Sequence, residues 1–182
     1  MRIIMFTLLI TAAIFGSVLY TSCRLDKCKP INCAHQGVCQ GGTCICPSGY
    51  EGPNCETVTR DKYIGNWRVF EKGSNSIAAQ YPLVIDTAGR DEAITYVVIR
   101  NLYSYFKKPV RAYVDGENII IPNQRLEGKM VFGRGVLTYN TTYTQYATIT
   151  MRYLVQDTFT LIKDDFGYES AINFSDPSVW TK

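Results

Sequence analysis

Six cysteines fall within the 28 residues from Cys28 to Cys55, separated by 4, 5, 4, 1 and 8 residues, and none follows in the remaining 127. So short a stretch cannot bury enough apolar surface to hold itself together, so cross-links must stand in for a core. The apolar leader ahead of it implies export to an oxidising compartment, where disulfides persist. Metal ligation fits less well. The one Cys-x-Cys pair is Cys44–Cys46, and His35, the only histidine, has no second imidazole to work with. Spacing alone leaves the pairing open. The chain has seven cysteines, so at least one stays outside any intramolecular bridge.

Residues 1–22 open with Met1-Arg2 and continue as IIMFTLLITAAIFGSVLY before Thr21-Ser22. A short basic start, an apolar run and small residues at its end make an export signal. As an uncleaved span the run is short, because crossing a bilayer takes about 20 apolar residues. Arg24 and Lys27 would also put positive charge at both ends. Thr21-Ser22-Cys23 resembles the end of the lipobox of bacterial lipoproteins, with Leu19 at −4 and Tyr20 at the −3 position. That resemblance implies that Cys23 receives lipid and becomes the new N-terminus, which removes it from the disulfide count. Two or more acyl chains hold a protein stably on a membrane where one does not. The expected partner is therefore a membrane, through Cys23.

The run CICPSGYEGPNC, Cys44 to Cys55, is similar to the second half of an EGF-like module in both cysteine spacing and its Gly49-Tyr50 pair. The resemblance implies three bridges, Cys28–Cys39, Cys33–Cys44 and Cys46–Cys55. Tyr50 is expected over the last bridge or against the following domain. Some such modules bind calcium through acidic and amide residues before the first cysteine. Here Asp26 is the only acid there, Lys27 and Lys29 flank Cys28, and Gln40-Gly41-Gly42-Thr43 fills the later gap. A hard cation needs several oxygen ligands, so no metal is expected.

From Tyr63 onward the sequence reads as strands: short β-branched and aromatic runs with a period of two. Val110, Ala112 and Val114 alternate with Arg111 and Tyr113, and Ala147 through Val155 repeats the pattern. Such alternation suits antiparallel strands with one buried face. Asp115-Gly116 is the strongest hairpin signal. Gly133 and Gly135 suggest a bulge or bend, and Pro122 is expected to end a strand. The fold class is mostly β, a disulfide-rich module followed by an antiparallel barrel or sandwich of about eight strands. The boundaries are a signal peptide at 1–22, a tether at 23–27, the EGF-like module at 28–55 and the β-domain at 57–182. Gly65-Asn66-Trp67 looks like the Gly-x-Trp start of lipocalin-type barrels. The whole arrangement, including VRAYVDGENIIIPNQRLEGKMVFGRGVLTYN from Val110 to Asn140, resembles small Bacteroidota-type envelope lipoproteins. It implies a lipid-anchored place in the envelope, on the outer membrane. Arg24-Leu25-Asp26-Lys27 lacks the acidic residues that often mark surface-exported members, so surface and periplasmic faces both stay open.

Little in the chain points to catalysis. The β-domain has no histidine and no cysteine, which removes serine–histidine and cysteine–histidine devices. The carboxylate pairs Asp91-Glu92 and Asp164-Asp165 sit near glycines and read as solvated turns. Nineteen basic and sixteen acidic residues, with no run longer than Lys107-Lys108, lack the footprint of a nucleic-acid binder. Tyrosines cluster in NLYSYF and YNTTYTQY, making Tyr103, Tyr105, Tyr143 and Tyr146 the candidate surface for a protein or glycan partner. The expected role is non-enzymatic binding or scaffolding, without a cofactor. The alternative is a lipocalin-like carrier of a small apolar ligand, with a carbohydrate-active enzyme behind both.

Overall fold

The computed structural model describes residues 27–140, 146–169 and 176–182. The leader, Cys23 and Tyr143 lie outside the described residues.

Disulfides link Cys28 to Cys39, Cys33 to Cys44 and Cys46 to Cys55. They cross-brace two small antiparallel pairs. One is β1 (Val38–Gln40) with β2 (Thr43–Ile45), and the other is β3 (Tyr50–Glu51) with β4 (Thr57–Val58). Cys55 is fully buried. A Cβ on Gly37 would lie 2.8 Å from its sulfur, so only glycine fits there. The Tyr50 ring stacks on His35 with centroids 3.9 Å apart, and His35 Nδ1 donates to the Cys55 carbonyl at 2.9 Å.

The strands after Tyr63 close on themselves. They are β5 (Gly65–Glu71), β6 (Ala79–Thr87), β7 (Tyr96–Arg100), β8 (Val110–Asp115), β9 (Asn118–Leu126), β10 (Lys129–Asn140), β11 (Tyr146–Asp157), β12 (Lys163–Phe166) and β13 (Ser178–Thr181). Pairing runs antiparallel from β5 through β11 in a meander, and β13 then joins β11 back to β5. The result is a closed eight-stranded barrel rather than a sandwich. β12 takes no place in the ring. It shares one edge of β11 with β13, pairing at residues 154–156 while β13 pairs at 148–151.

The alternation legible in the sequence sets the inside. Trp67, Leu83, Ile85, Val97, Ile99, Ala112, Ile149 and Met151 are all buried in one cluster. Gly133 and Gly135 also face inward, opposite Tyr153 and Met151 in the β10–β11 register. A Cβ would come within 2.4 Å of Tyr153 Cβ at the first and 2.7 Å of Met151 Sδ at the second. The two glycines thus make room for the largest side chains of β11. The inward side chains of the barrel strands form one buried cluster, as the interior of an eight-stranded barrel allows.

The irregularity of the ladder lies on the facing strand. Between Val131 and Gly133 of β10, β9 advances from Gln124 to Ile121, so the extra residue sits at Pro122–Asn123. Pro122 therefore does not end β9, which continues to Leu126. Proline has no N–H to give, and the register shift is where that donor is not needed. Gln124 completes the edge toward β8. Its Oε1 accepts from Arg111 N–H at 3.0 Å and its Nε2 donates to Arg111 C=O at 2.8 Å, so a side-chain amide occupies the place of a peptide group.

The cysteine-rich module sits against one end of the barrel. Lys62 bridges Glu51 of β3 and Glu117 of the β8–β9 turn, at 2.9 Å to each. Burial opposes the Lys62 charge, but the hydrogen bonds and charges of the two glutamates outweigh it and hold the ammonium above its ordinary value. Tyr63 donates to the Gly116 carbonyl at 3.0 Å, and Gly49 packs on Ile94 of the β6–β7 loop with no room for a Cβ. Gly116, at φ +53°, takes the left-handed turn position that the Asp-Gly signal foretold.

Candidate functional site

The opposite end of the barrel gathers the loops 72–78, 101–109, 127–128 and 158–162, and here polar groups enter the core. Glu71 follows Trp67 and Val69 on the inward face of β5. Its Oε1 accepts from Tyr81 at 2.7 Å, and its Oε2 accepts from Tyr153 at 2.8 Å and Ser178 at 2.6 Å. Trp180 Nε1 donates onward to Ser178 Oγ at 2.8 Å. No described cation pairs with this carboxylate. Burial holds Glu71 above the usual carboxylate range, the charge of Asp164 adds to that, and the three hydroxyl donors oppose it.

A second tie closes the same end. Tyr103 donates to Asp164 Oδ2 at 2.9 Å, while Asp164 Oδ1 accepts from Asn75 N–H at 2.8 Å. Tyr103 meets Phe166 edge-on, and Phe166 stacks flat on Tyr153 with centroids 4.4 Å apart. Asn101, Tyr103 and Ser104 all have φ between +48° and +64°. Non-glycine residues pay roughly 1–3 kcal/mol each for such conformations. Burial of Leu102 and Phe106 and the Asp164 hydrogen bond hold the loop in place.

Asp164 and Asp165 are therefore not in a solvated turn. They are 5% and 1% exposed within β12. Loop 72–76 covers them: Ser74 Oγ accepts from Asp165 N–H and Ser74 N–H donates to Asp165 C=O, both at 3.0 Å. Asp165 Oδ1 in turn accepts from Tyr168 N–H at 2.7 Å. Gly73 lies so close to the Asp164 carboxylate that no Cβ fits between them. The other pair differs. Asp91 is exposed in the β6–β7 loop, and Glu92 pairs with Arg111 at 2.6 Å.

Of the candidate tyrosines, Tyr103 and Tyr105 stand at this end of the barrel, away from the start of β11. Tyr103 is half-buried and committed to Asp164. Tyr105 is exposed, with its hydroxyl on the Glu127 carbonyl at 3.3 Å and the Lys129 ammonium 4.8 Å from its ring centroid. Tyr146 opens β11 at the other end of the barrel, where it pairs with Asn140. Sequence reading passed over Glu71 and Ser178. Glu71 had a signal, a charged residue in an inward period-two position. Ser178 had none.

An open groove of about 430 Å³ runs beside this network, lined by Phe70, Lys72, Gln80, Asp176 and an edge of Glu71. Both Glu71 oxygens are already engaged by hydroxyl donors. Among the described residues no three histidine, cysteine or acidic side chains converge as a metal site. The arrangement can bind and brace.

No family model matches the chain. Over 40 residues, 21% of its length, it is 50% identical to the Hedgehog-interacting protein of Mus musculus, and the match falls in the EGF-like region. The chain spans only 6% of that relative.

The pH response of Glu71 has a defined sign. Its folded value lies above the unfolded one of about 4.5, so its contribution is complete below that pH and is lost as pH rises through the folded value. Asp157 is held ionised by the N–H groups of Thr160 and Phe159, so its contribution is lost only on acidification below the normal carboxylate range. Urea unfolding between pH 4 and pH 7 should therefore show Glu71→Gln gaining stability relative to the unaltered chain as pH rises. Parallel profiles for the two proteins would show that Glu71 does not titrate abnormally.

Proposed function

We propose that this protein is a lipid-anchored component of a cell envelope, held to the membrane through Cys23, with an EGF-like module that carries a non-enzymatic binding or scaffolding barrel. The observation that carries this reading is the buried cluster inside the barrel. Gly133 and Gly135 yield their space to Tyr153 and Met151, and Trp67, Trp180 and the aliphatic residues are buried in the same cluster. A carrier needs that space for its ligand, so the barrel's outer surface and loops are left to make the contacts. The three-point seat of the module on the barrel, through Lys62, Tyr63 and Gly49, suits an adaptor that holds its load in a fixed direction. Local likeness to a protein named for an interaction agrees with a binding role.

Two measurements on the full chain, expressed in a Gram-negative host, test the reading. Metabolic labelling with an alkyne fatty acid should mark the chain, and Cys23→Ala should abolish the label and release the protein from the membrane fraction. Native mass spectrometry of the extracted protein should give the processed, acylated mass alone. Extra mass lost on denaturation would instead support a carrier.

A further inference from the structure

The β11–β12 loop carries Phe159, Leu161 and Ile162 at 84%, 66% and 59% exposure, an unusual apolar concentration for five residues of surface. The loop is firmly built. Asp157 Oδ1 accepts from Phe159 and Thr160 N–H, both at 2.9 Å, and Asp157 N–H donates to Ile162 C=O at 2.9 Å. Thr158 donates through both N–H and Oγ1 to the Gly128 carbonyl, at 2.9 and 2.7 Å. Leu161, at φ +60°, is turned outward by a conformation that a β-turn tip of apolar residues would not choose freely. The frame presents these side chains to the outside.

Basic residues lie at the base of the tip. Arg125 Nη2 donates to Thr158 Oγ1 at 3.2 Å, at the tip's base. The Lys107 and Lys108 N–H groups both bind the Glu127 carboxylate beside Gly128, and their ammoniums form no ion pair with any described residue. The acidic groups nearby are engaged: Glu127 by those N–H groups, Asp157 by the loop and Lys129, and Glu169 by Lys163.

We infer that this barrel end is a membrane-docking tip, whose apolar loop enters the interfacial layer of an anionic bilayer while Lys107, Lys108 and Arg125 meet the lipid headgroups. Apolar side chains ahead of a cationic base match the depth profile of such a surface. A protein partner would need roughly 800 Å² from this side, and a narrow convex loop supplies far less. The inference does not depend on acylation of Cys23: the module that follows Cys23 seats on the opposite barrel end, so the bilayer that the tip meets is not the one an acylated Cys23 would enter.

The test uses residues 24–182, which keep every described contact and all three bridges but cannot be acylated at Cys23. Sedimentation with phosphatidylcholine vesicles should show binding only when phosphatidylglycerol is included, and added salt should weaken it. Phe159→Ser with Ile162→Ser should lower the partition coefficient at least about tenfold, and Lys107→Glu with Lys108→Glu should lower it as well. Tyr139→Ser, an exposed aromatic elsewhere on the barrel, should leave it unchanged. Circular dichroism of each variant confirms folding, because the altered side chains are exposed. Failure to bind anionic vesicles, or binding insensitive to the Phe159/Ile162 pair, overturns the inference. So does concentration-dependent self-association that the same pair abolishes, which would make the tip a contact between copies.

Discussion

Trp180→Ala is expected to lower the unfolding free energy by about 3–5 kcal/mol, the range for truncating a buried tryptophan. For a chain of this size that is a fall in Tm on the order of 10 °C, read by thermal circular dichroism. Trp180 is fully buried, pairs with Ile149 on one side and Val69 on the other, and donates to Ser178. It is the largest side chain on the strand that closes the ring. Alanine would leave a cavity at the seam and free Ser178 Oγ of a donor, while Trp180→Phe should recover much of the packing. A loss under about 1 kcal/mol would mean that the seam repacks or that β13 contributes little to closure.

Removing the Cys46–Cys55 bridge by paired alanine substitution should cost the module about 2–5 kcal/mol. The module has only a thin core of its own, so that loss is enough to unfold it locally. Hydrogen exchange should then show amide protection vanishing in β1 to β4 while β5 to β11 keep theirs. Buried Cys55 and the His35–Tyr50 stack both lean on this bridge, so the other two disulfides cannot replace it. Equal loss of protection in the barrel would show instead that Lys62 and Tyr63 couple the two parts into one cooperative unit.

Much of this architecture was readable in the residues, for identifiable reasons. Period-two alternation exposes which face of a strand is buried, so the inward set of β8 and β11 was open to reading. The Asp-Gly pair announced its turn because few residues accept a positive φ there. Asp164 and Asp165 were misread because their burial depends on a loop ninety residues away in sequence, and a strand pattern carries no trace of that cover. Pro122 misled for a related reason. A proline disrupts a ladder only where its missing N–H is needed, and neither the bulge nor the Gln124 amide that completes the neighbouring edge is visible locally. Sequence gives the tyrosine clusters proximity along the chain without direction in space. In the barrel, Tyr105 and the start of β11 at Tyr146 lie at opposite ends.

The shared edge of β11 has a kinetic consequence. The pairings from β5 through β11 join neighbours in the meander, across short connections that close quickly, and β13 reaches β11 from beyond β12. The β5–β13 pairing instead joins residues 68–70 to 179–181, across more than a hundred positions. Loop-closure entropy and contact order place that step late in folding. Until it occurs, the meander is an open, curled sheet with two unpaired edges, β5 at one side and most of β11 at the other. β12, only a few residues beyond β11, can pair locally and blunt part of that second edge first. The extra strand outside the ring can thus guard the nascent barrel against edge-to-edge association during the interval before the seam closes.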